Sequence, residues 1–274
     1  MASLNGKTIL VTGSTDGVGR VVAERLAADG AHVLVHGRDR KRGESLVAAI
    51  EKSGKGKATL YIADFASLAE VRRFAETVRR EHPRIDVLIN NAGTGFVPTE
   101  RTVTAEGNEL RFAVNYLSGF LLTRLLLPTL LASAPARIVN IASIGQSPID
   151  FDDPMMEKSW LGGRVAYTQS KLAQVMFTLD LAEELAGKGV TVTSLHPATF
   201  MNTGMVLNAG LTPQSTVEQG AEAIVALAAD PRHAAATGVF YNGLNEARAN
   251  EHAYDKAARA RLKDLSRKLT GVSG

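Results

Sequence analysis

The sequence predicts an α/β fold, a doubly wound parallel sheet of about seven strands with helices on both faces. Three observations carry this reading. Short runs rich in Val, Ile and Leu alternate with longer helical patterns along most of the 274 residues. Within the runs, apolar and polar residues hardly alternate, as expected of strands covered on both faces. Strand–helix alternation also imposes right-handed crossovers, which make the strands parallel.

The elements follow in order. KTILVTG (7–13) reads as a strand and 17–29 as the helix after it. HVLVHG (32–37) and a helix over 39–52 come next, then ATLYIAD (58–64) and a helix over 67–82. VLINNAG (87–93) ends a strand that feeds a long helix over 105–133. ARIVNIAS (136–143) is a strand, and after a loop a helix covers 165–187. VTVTSLHP (190–197) and GVFYNG (238–243) are the last strands, and 249–268 reads as a C-terminal helix. No linker or repeat divides the chain, so 1–274 reads as one domain. Two loops are long enough for binding or lid roles, 144–163 and the uncharged 198–213.

Composition excludes several function classes. Hydrophobic residues make up 45% and charged residues 22%, ordinary values for a globular chain. The longest apolar stretch, YLSGFLLTRLLLPTLLASA, is broken by Arg124 and Pro128, so no membrane span is expected. MASLNGKTILVTG has no basic region followed by a long apolar run, so no secretory leader is expected. Zero cysteines rule out disulfides and thiolate ligands and fit a reducing, cytoplasmic setting. The net charge of +3 is dispersed, without the basic, aromatic-laced face of a nucleic-acid binder. The six histidines form no ligand cluster, so no metal is expected.

Two stretches point to chemistry. VTGSTDGVGR places Gly13, Gly17 and Gly19 directly after the first strand and at the opening of the first helix. Such a turn lets backbone approach a pyrophosphate at a helix N-terminus. NAD binders place an acid at the end of the second strand, about 20 residues on, for the ribose 2′-hydroxyl. Here Gly37 stands near that place and Arg38 follows, with Arg40 and Lys41 as possible assistants. A guanidinium binds a 2′-phosphate that a carboxylate would repel, so the reading is NADP(H) rather than NAD(H). Asp39 reads as the N-cap of the next helix. The second stretch, RVAYTQSKLAQV (164–175), sets Tyr167 four residues before Lys171 and so on one helix face. A phenol with a pKa of about 10 is a poor base until a nearby cation favours the phenolate.

TGSTDGVG (12–19), NNAG (90–93), Ser143 and the Tyr167–Lys171 pair stand in order along the chain. Together they resemble the short-chain dehydrogenase/reductase family and its Rossmann fold, over about 5 to 245. HGRD, KRGE, IDFDD and AYTQSKLA are similar to its retinol-dehydrogenase-like branch; HPATFMNT departs from that branch's usual HPG-type segment. The resemblance implies roles residue by residue. Tyr167 would exchange the proton with the substrate oxygen. Lys171 would hold the nicotinamide ribose and lower the phenol pKa. Ser143 would polarise the carbonyl, and Asn115 would hold a water for proton relay. Gly13, Ser14, Thr15, Asp16, Gly17, Val18 and Gly19 would cradle the nucleotide. Asn91, Ala92 and Gly93 would line its adenosine and ribose side, Asp64 with Phe65 its adenine, and Pro197 with Thr199 its nicotinamide.

The resemblance thus implies an NADP(H)-dependent alcohol dehydrogenase or carbonyl reductase. The lid residues Met201, Met205, Val206 and Leu207 suggest an apolar substrate, with no lid charge for an acidic one. The alternative is a non-catalytic NADP(H)-binding regulator, against which the intact Ser143, Tyr167 and Lys171 stand. His196 reads as a packed strand-end residue. Asp152 and Asp153 read as loop caps, whereas Trp160 fits either loop packing or a pocket wall. Ser143 and Tyr167 are 24 residues apart, longer than the family's usual spacing, so the extra chain must bulge outward. The helix over 165–187 is apolar nearly all round and needs cover on both sides, which predicts a homodimer or homotetramer.

Overall fold

The computed structural model describes residues 3–272. Its first strand, β1 (Thr8–Val11), lies inside the sheet, between β2 (His32–Gly37) and β4 (Val87–Asn90). With β3 (Lys57–Ile62), β5 (Ala136–Ile141), β6 (Val190–His196), β7 (Val239–Asn242) and β8 (Asn245–Ala247), the order is β3-β2-β1-β4-β5-β6-β7-β8. Strands β1 to β7 pair in parallel, as the alternation predicts. The eighth strand is an addition to the expected seven and runs antiparallel to β7. A two-residue turn opening on Gly243, φ +60°, suffices to fold it back. The chain winds outward from β1 to β3 and then in the other direction from β4, so a crevice opens beyond the carboxyl ends of β1 and β4.

Successive side chains of each strand enter opposite cores. Ile9 and Val11 enter one, with α1 (Gly17–Ala28), α2 (Arg40–Ser53) and the helix over Val217–Ala229. Leu10 enters the other, with α3 (Leu68–Glu81), α4 (Ser118–Ala132) and α5 (Gly163–Glu184). Each fully buried Leu, Ile or Val here contributes about 1.5–3 kcal/mol. The short α6 (Gly204–Leu207) belongs to the 198–213 segment, and the helix over Val217–Ala229 is therefore α7. Sequence reading missed α7. Its Thr216 and Gln219 form a reciprocal capping box, a signal present in the sequence.

Two helix boundaries differ from expectation. The helix expected from 105 starts at Leu110, and a π-helical turn over Phe112–Leu117 continues into α4. Residues 102–109 instead fold into a tight turn with Gly107 at φ +82° and Thr104 N–H bonded to Asn108 O at 2.8 Å. The buried Glu109 carboxylate accepts from the N–H groups of Arg111 and Phe112 at 2.8 and 2.9 Å, which caps the helix there. At the other end, Glu251–Tyr254 is a 3-10 turn, and α8 (Lys256–Thr270) starts after the N-cap Asp255, later than the expected 249. The Phe112–Ala132 stretch is long and apolar enough to cross a membrane by length and composition. In the fold it is a core segment packed on α3 and α5, and its Arg124 meets Glu184 at 2.6 Å.

A buried polar ladder fixes how α5 sits on the sheet. Asn90 Nδ2 donates to Thr123 Oγ1 of α4 at 2.9 Å and to Asn140 Oδ1 of β5 at 2.8 Å. Asn140 Nδ2 donates to Thr178 Oγ1 of α5 at 2.9 Å, and Thr178 donates to the Gln174 carbonyl at 2.8 Å. Rotating α5 would leave these groups unpaired, at about 1–3 kcal/mol each.

The cover that α5 requires comes from the same chain. α8 lies on its outer side, with Leu262 buried and Arg259 paired with Asp180 and Glu183 at 3.2 and 2.9 Å. Ser266 meets the Tyr116 hydroxyl at 2.6 Å beneath it. The apolar residues of α5 are thus buried without a second subunit, and the reason for expecting a homodimer or homotetramer falls away. A chain ending at Asp255 is expected to self-associate through the uncovered face. Light scattering checks this: a shortened chain no larger in solution than the full one would mean that α8 is not the cover.

Candidate active site

The site lies at the carboxyl ends of the strands, in two connected parts. An open groove of about 790 Å³ runs past the β1–α1 turn and the end of β2. An inner cavity of about 290 Å³ lies over β5, β6 and the start of α5. Gly93 lines both.

The glycine turn is held from below. Gly13 and Gly17 adopt φ +62° and +52°. A Cβ on Gly19 would stand 2.3 Å from Gly13 O, so nothing larger fits there. Asp16 caps α1 by accepting the Gly17 N–H at 2.8 Å. Thr12 Oγ1 accepts from the N–H groups of Asn91 and Ala92 at 2.9 and 3.0 Å. Asn91 Nδ2 donates back to Thr12 O and Gly13 O at 2.8 and 3.0 Å. Asn91, expected to line the nucleotide, therefore also braces the turn that would hold it. Ser14 is a correction: it is fully buried, its hydroxyl accepts the His36 N–H at 3.0 Å and its own N–H donates to His36 O at 2.8 Å, so it ties the turn to β2 instead of facing a ligand.

His36 was missed by sequence reading. Its Nδ1 accepts the Gly13 N–H at 3.1 Å and its Nε2–H donates to Ala63 O at 3.1 Å, which fixes a neutral imidazole. Burial pushes its pKa down to about 4. Phe65 stacks on it at 4.0 Å between ring centroids, so this expected adenine neighbour is a buried wall of the groove rather than a free side chain.

The groove is lined by two arginines, Arg38 and Arg42, set among three carboxylates, Asp16, Asp39 and Asp64. Arg38 is exposed and lies 3.8 Å from Asp64 across the groove. Arg42, rather than Arg40 or Lys41, also lines it, on Asp16 and 3.4 Å from Asp39. Arg40 instead faces Glu44. Asp39 caps α2 as expected, accepting the Arg42 N–H at 3.0 Å. Where an NAD binder carries its acid, Gly37 has no room: a Cβ would meet Thr15 Oγ1 at 2.4 Å.

The inner cavity gathers Val18, Ser143, Tyr167, Lys171, Pro197 and Thr199. The chain between Ser143 and Tyr167 loops outward without separating them. Trp160 packs this loop, donating to Thr99 O at 3.0 Å with Arg111 over its ring. Asp153 accepts three backbone N–H groups, from Glu157, Lys158 and Ser159, and Asp152 pairs with Arg261, so both are structural acids. His196 is buried, bonded to Thr199 Oγ1 at 3.1 Å, and reaches the cavity as well. Burial first, and then Lys171, lowers its pKa.

Lys171 is 5% exposed, and Nζ donates to Ile141 O at 2.8 Å and Gln174 Oε1 at 2.9 Å. Both acceptors are neutral, and burial pushes the ammonium pKa down to about 7. Its Nζ lies 5.6 Å from the Tyr167 ring centroid and makes no hydrogen bond to the phenol. The lowering of the phenol pKa expected of Lys171 is not seen. Burial raises Tyr167, and only the neighbouring Ser143 hydroxyl pulls the other way. Asn115 lies in the π turn, accepting the Thr94 N–H at 2.7 Å and donating to Ser170 Oγ at 2.9 Å. Its amide is engaged with protein, so any water relay would use its backbone.

A family model described as short chain dehydrogenase matches residues 7–214. The chain belongs to this family. Retinol dehydrogenase 14 of Homo sapiens is 35% identical over 98% of this chain and 88% of its own length. An uncharacterised protein from Mycobacterium paratuberculosis superposes with a TM-score of 0.83 at 29% identity, over 100% of this chain and 96% of the other. A short chain dehydrogenase from Burkholderia cenocepacia in complex with NADP superposes at 0.69 and 27% identity, over 88% and 97%. The chain is therefore an oxidoreductase of the retinol-dehydrogenase-like kind.

His36 gives the family fold a pH dependence here. Its folded pKa, about 4, lies below the ordinary 6.5, so the unfolded chain takes up the proton first as pH falls. Its contribution is complete above pH 6.5 and is lost between 6.5 and about 4, by up to about 3 kcal/mol. Urea titrations across that window are expected to show the loss, with a shallower slope in His36→Asn.

Proposed function

We propose that the chain is an NADP(H)-dependent oxidoreductase that moves a hydride between nicotinamide and the carbon of a carbonyl or secondary alcohol with an apolar body. The observation that carries this reading is that Ser143, Tyr167 and Lys171 line one cavity, opening at Gly93 onto a groove with two arginines. The residues fit a dinucleotide. The close-packed turn from Gly13 to Gly19 receives the pyrophosphate, Arg38 and Arg42 the 2′-phosphate, and Asp64 the adenine. Lys171 and Thr199 serve the ribose and nicotinamide end. The bound nicotinamide supplies or accepts the hydride.

The protein's own part is positioning and proton transfer. Ser143 donates to the substrate oxygen and polarises the carbonyl. Because burial raises its pKa, Tyr167 is protonated at neutral pH and acts as the general acid of reduction. In the oxidative direction it must give up that proton, and the Ser143 hydroxyl beside it, which lowers its pKa, favours the phenolate. Phe96, Met201, Met205 and Val206 form the apolar walls that exclude water.

Tyr167→Phe is expected to lower turnover about 10²–10⁴-fold, the range for losing a general acid. NADPH binding, read by fluorescence titration, should change little; near-normal turnover would refute the assigned role. Arg38→Asp is expected to raise KM for NADPH by about tenfold or more, as loss of a charge-assisted bond implies, and to favour NADH. Steady-state kinetics with both nucleotides checks this; an unchanged preference would remove Arg38 from the 2′-phosphate.

A further inference from the structure

We propose that Arg164 makes the inner cavity a site for a carbonyl substrate whose apolar body ends in a carboxylate. The inference rests on the oxidoreductase reading and names its substrate class. Arg164 lies in the first turn of α5, three residues before Tyr167, so the two side chains leave one helix face with Cβ atoms about 5–6 Å apart. It lines the cavity beside Tyr167, Thr168 and Ser143. Among the described residues its guanidinium has no salt-bridge or hydrogen-bond partner. Arg111, Arg124 and Arg259, by contrast, each rest on a carboxylate.

Arg164 is exposed at the cavity's edge, and the protein gives its charge no structural use. A cation in a first turn opposes the helix dipole, which favours acids there, so α5 gains nothing from it. Among the described residues, no Asp or Glu lines the cavity. Its other cation, Lys171, is buried and committed to Ile141 and Gln174. The 198–213 segment over the cavity carries no charge at all. An acidic group entering between Phe96, Ile144 and Met205 therefore meets one uncommitted partner, and a guanidinium matches a carboxylate with two parallel hydrogen bonds. The lid's lack of charge, which by itself suggests a purely apolar substrate, is compensated by a residue outside the lid.

The test uses the full chain with NADP⁺ and two matched probes, phenylbutyrate and its amide, in calorimetric titrations. The acid is expected to bind about tenfold tighter than the amide, the worth of one charge-assisted contact, and to weaken with salt. In Arg164→Gln that difference should vanish while the amide binds as before. Equal binding of the two probes, failure of the acid to bind, or equal weakening of both in Arg164→Gln would overturn the proposal. A turnover arm compares a phenyl keto acid with its methyl ester, and the acid is expected to have the lower KM. Reduction of both without preference sinks this inference alone. An acid-selective cavity with no carbonyl reduced would sink the oxidoreductase reading and leave only the anion site.

Discussion

An ammonium buried without a counterion is the constraint to which the rest of the structure answers. Taking a charge out of water costs several kcal/mol unless partners replace the solvent. Lys171 receives only neutral ones, the Ile141 carbonyl and the Gln174 amide. A carboxylate in their place would hold the lysine charged, and would also repel a phenolate forming nearby. Neutral acceptors hold the lysine in place and keep its charge responsive to what binds. That requires α5 to present Tyr167 and Lys171 at one rotation. The ladder from Thr123 through Asn90, Asn140 and Thr178 sets it, and ends on Gln174, whose side chain receives the ammonium. One residue thus joins the packing of the helix to its chemistry.

The nucleotide half follows the same logic of polar groups satisfied by backbone. Thr12 and Asn91 tie the glycine turn to the end of β4, and the neutral His36 ties it to the ends of β2 and β3. These bonds brace the turn from within the protein, which limits the ordering entropy lost on binding. The charged side chains along the groove, Arg38 and Arg42, are exposed, Arg38 at 3.8 Å from Asp64 and Arg42 in close contact with Asp16.

Local signals made the sheet and the reactive residues legible. Val- and Ile-dense runs marked the seven parallel strands, and the Tyr167–Lys171 spacing placed both groups on one face. Long-range packing was not legible. Nothing near His36 announces that it lies under Gly13, because the contact joins two strand ends 23 residues apart. Arg42 could not be told from Arg40 and Lys41, since helix phase decides which of three neighbours turns into the groove. The apolar character of α5 was read correctly, but its cover lay about 80 residues downstream in α8, whose basic outer face reads as that of any solvated helix. α7 and β8 are a different case: the capping box at Thr216 and the turn at Gly243 were visible and were passed over.

The π turn over Phe112–Leu117 has a consequence for how this chain tolerates change. A π turn holds one residue more than a regular helical turn. Deleting any single residue there would restore an ordinary spiral and swing Asn115 by about 100° about the axis, away from Thr94 and Ser170. A deletion in this segment therefore costs Asn115 its contacts with Thr94 and Ser170. The segment's length is locked to the residue, a phase requirement of the active site written in counting rather than in side-chain type.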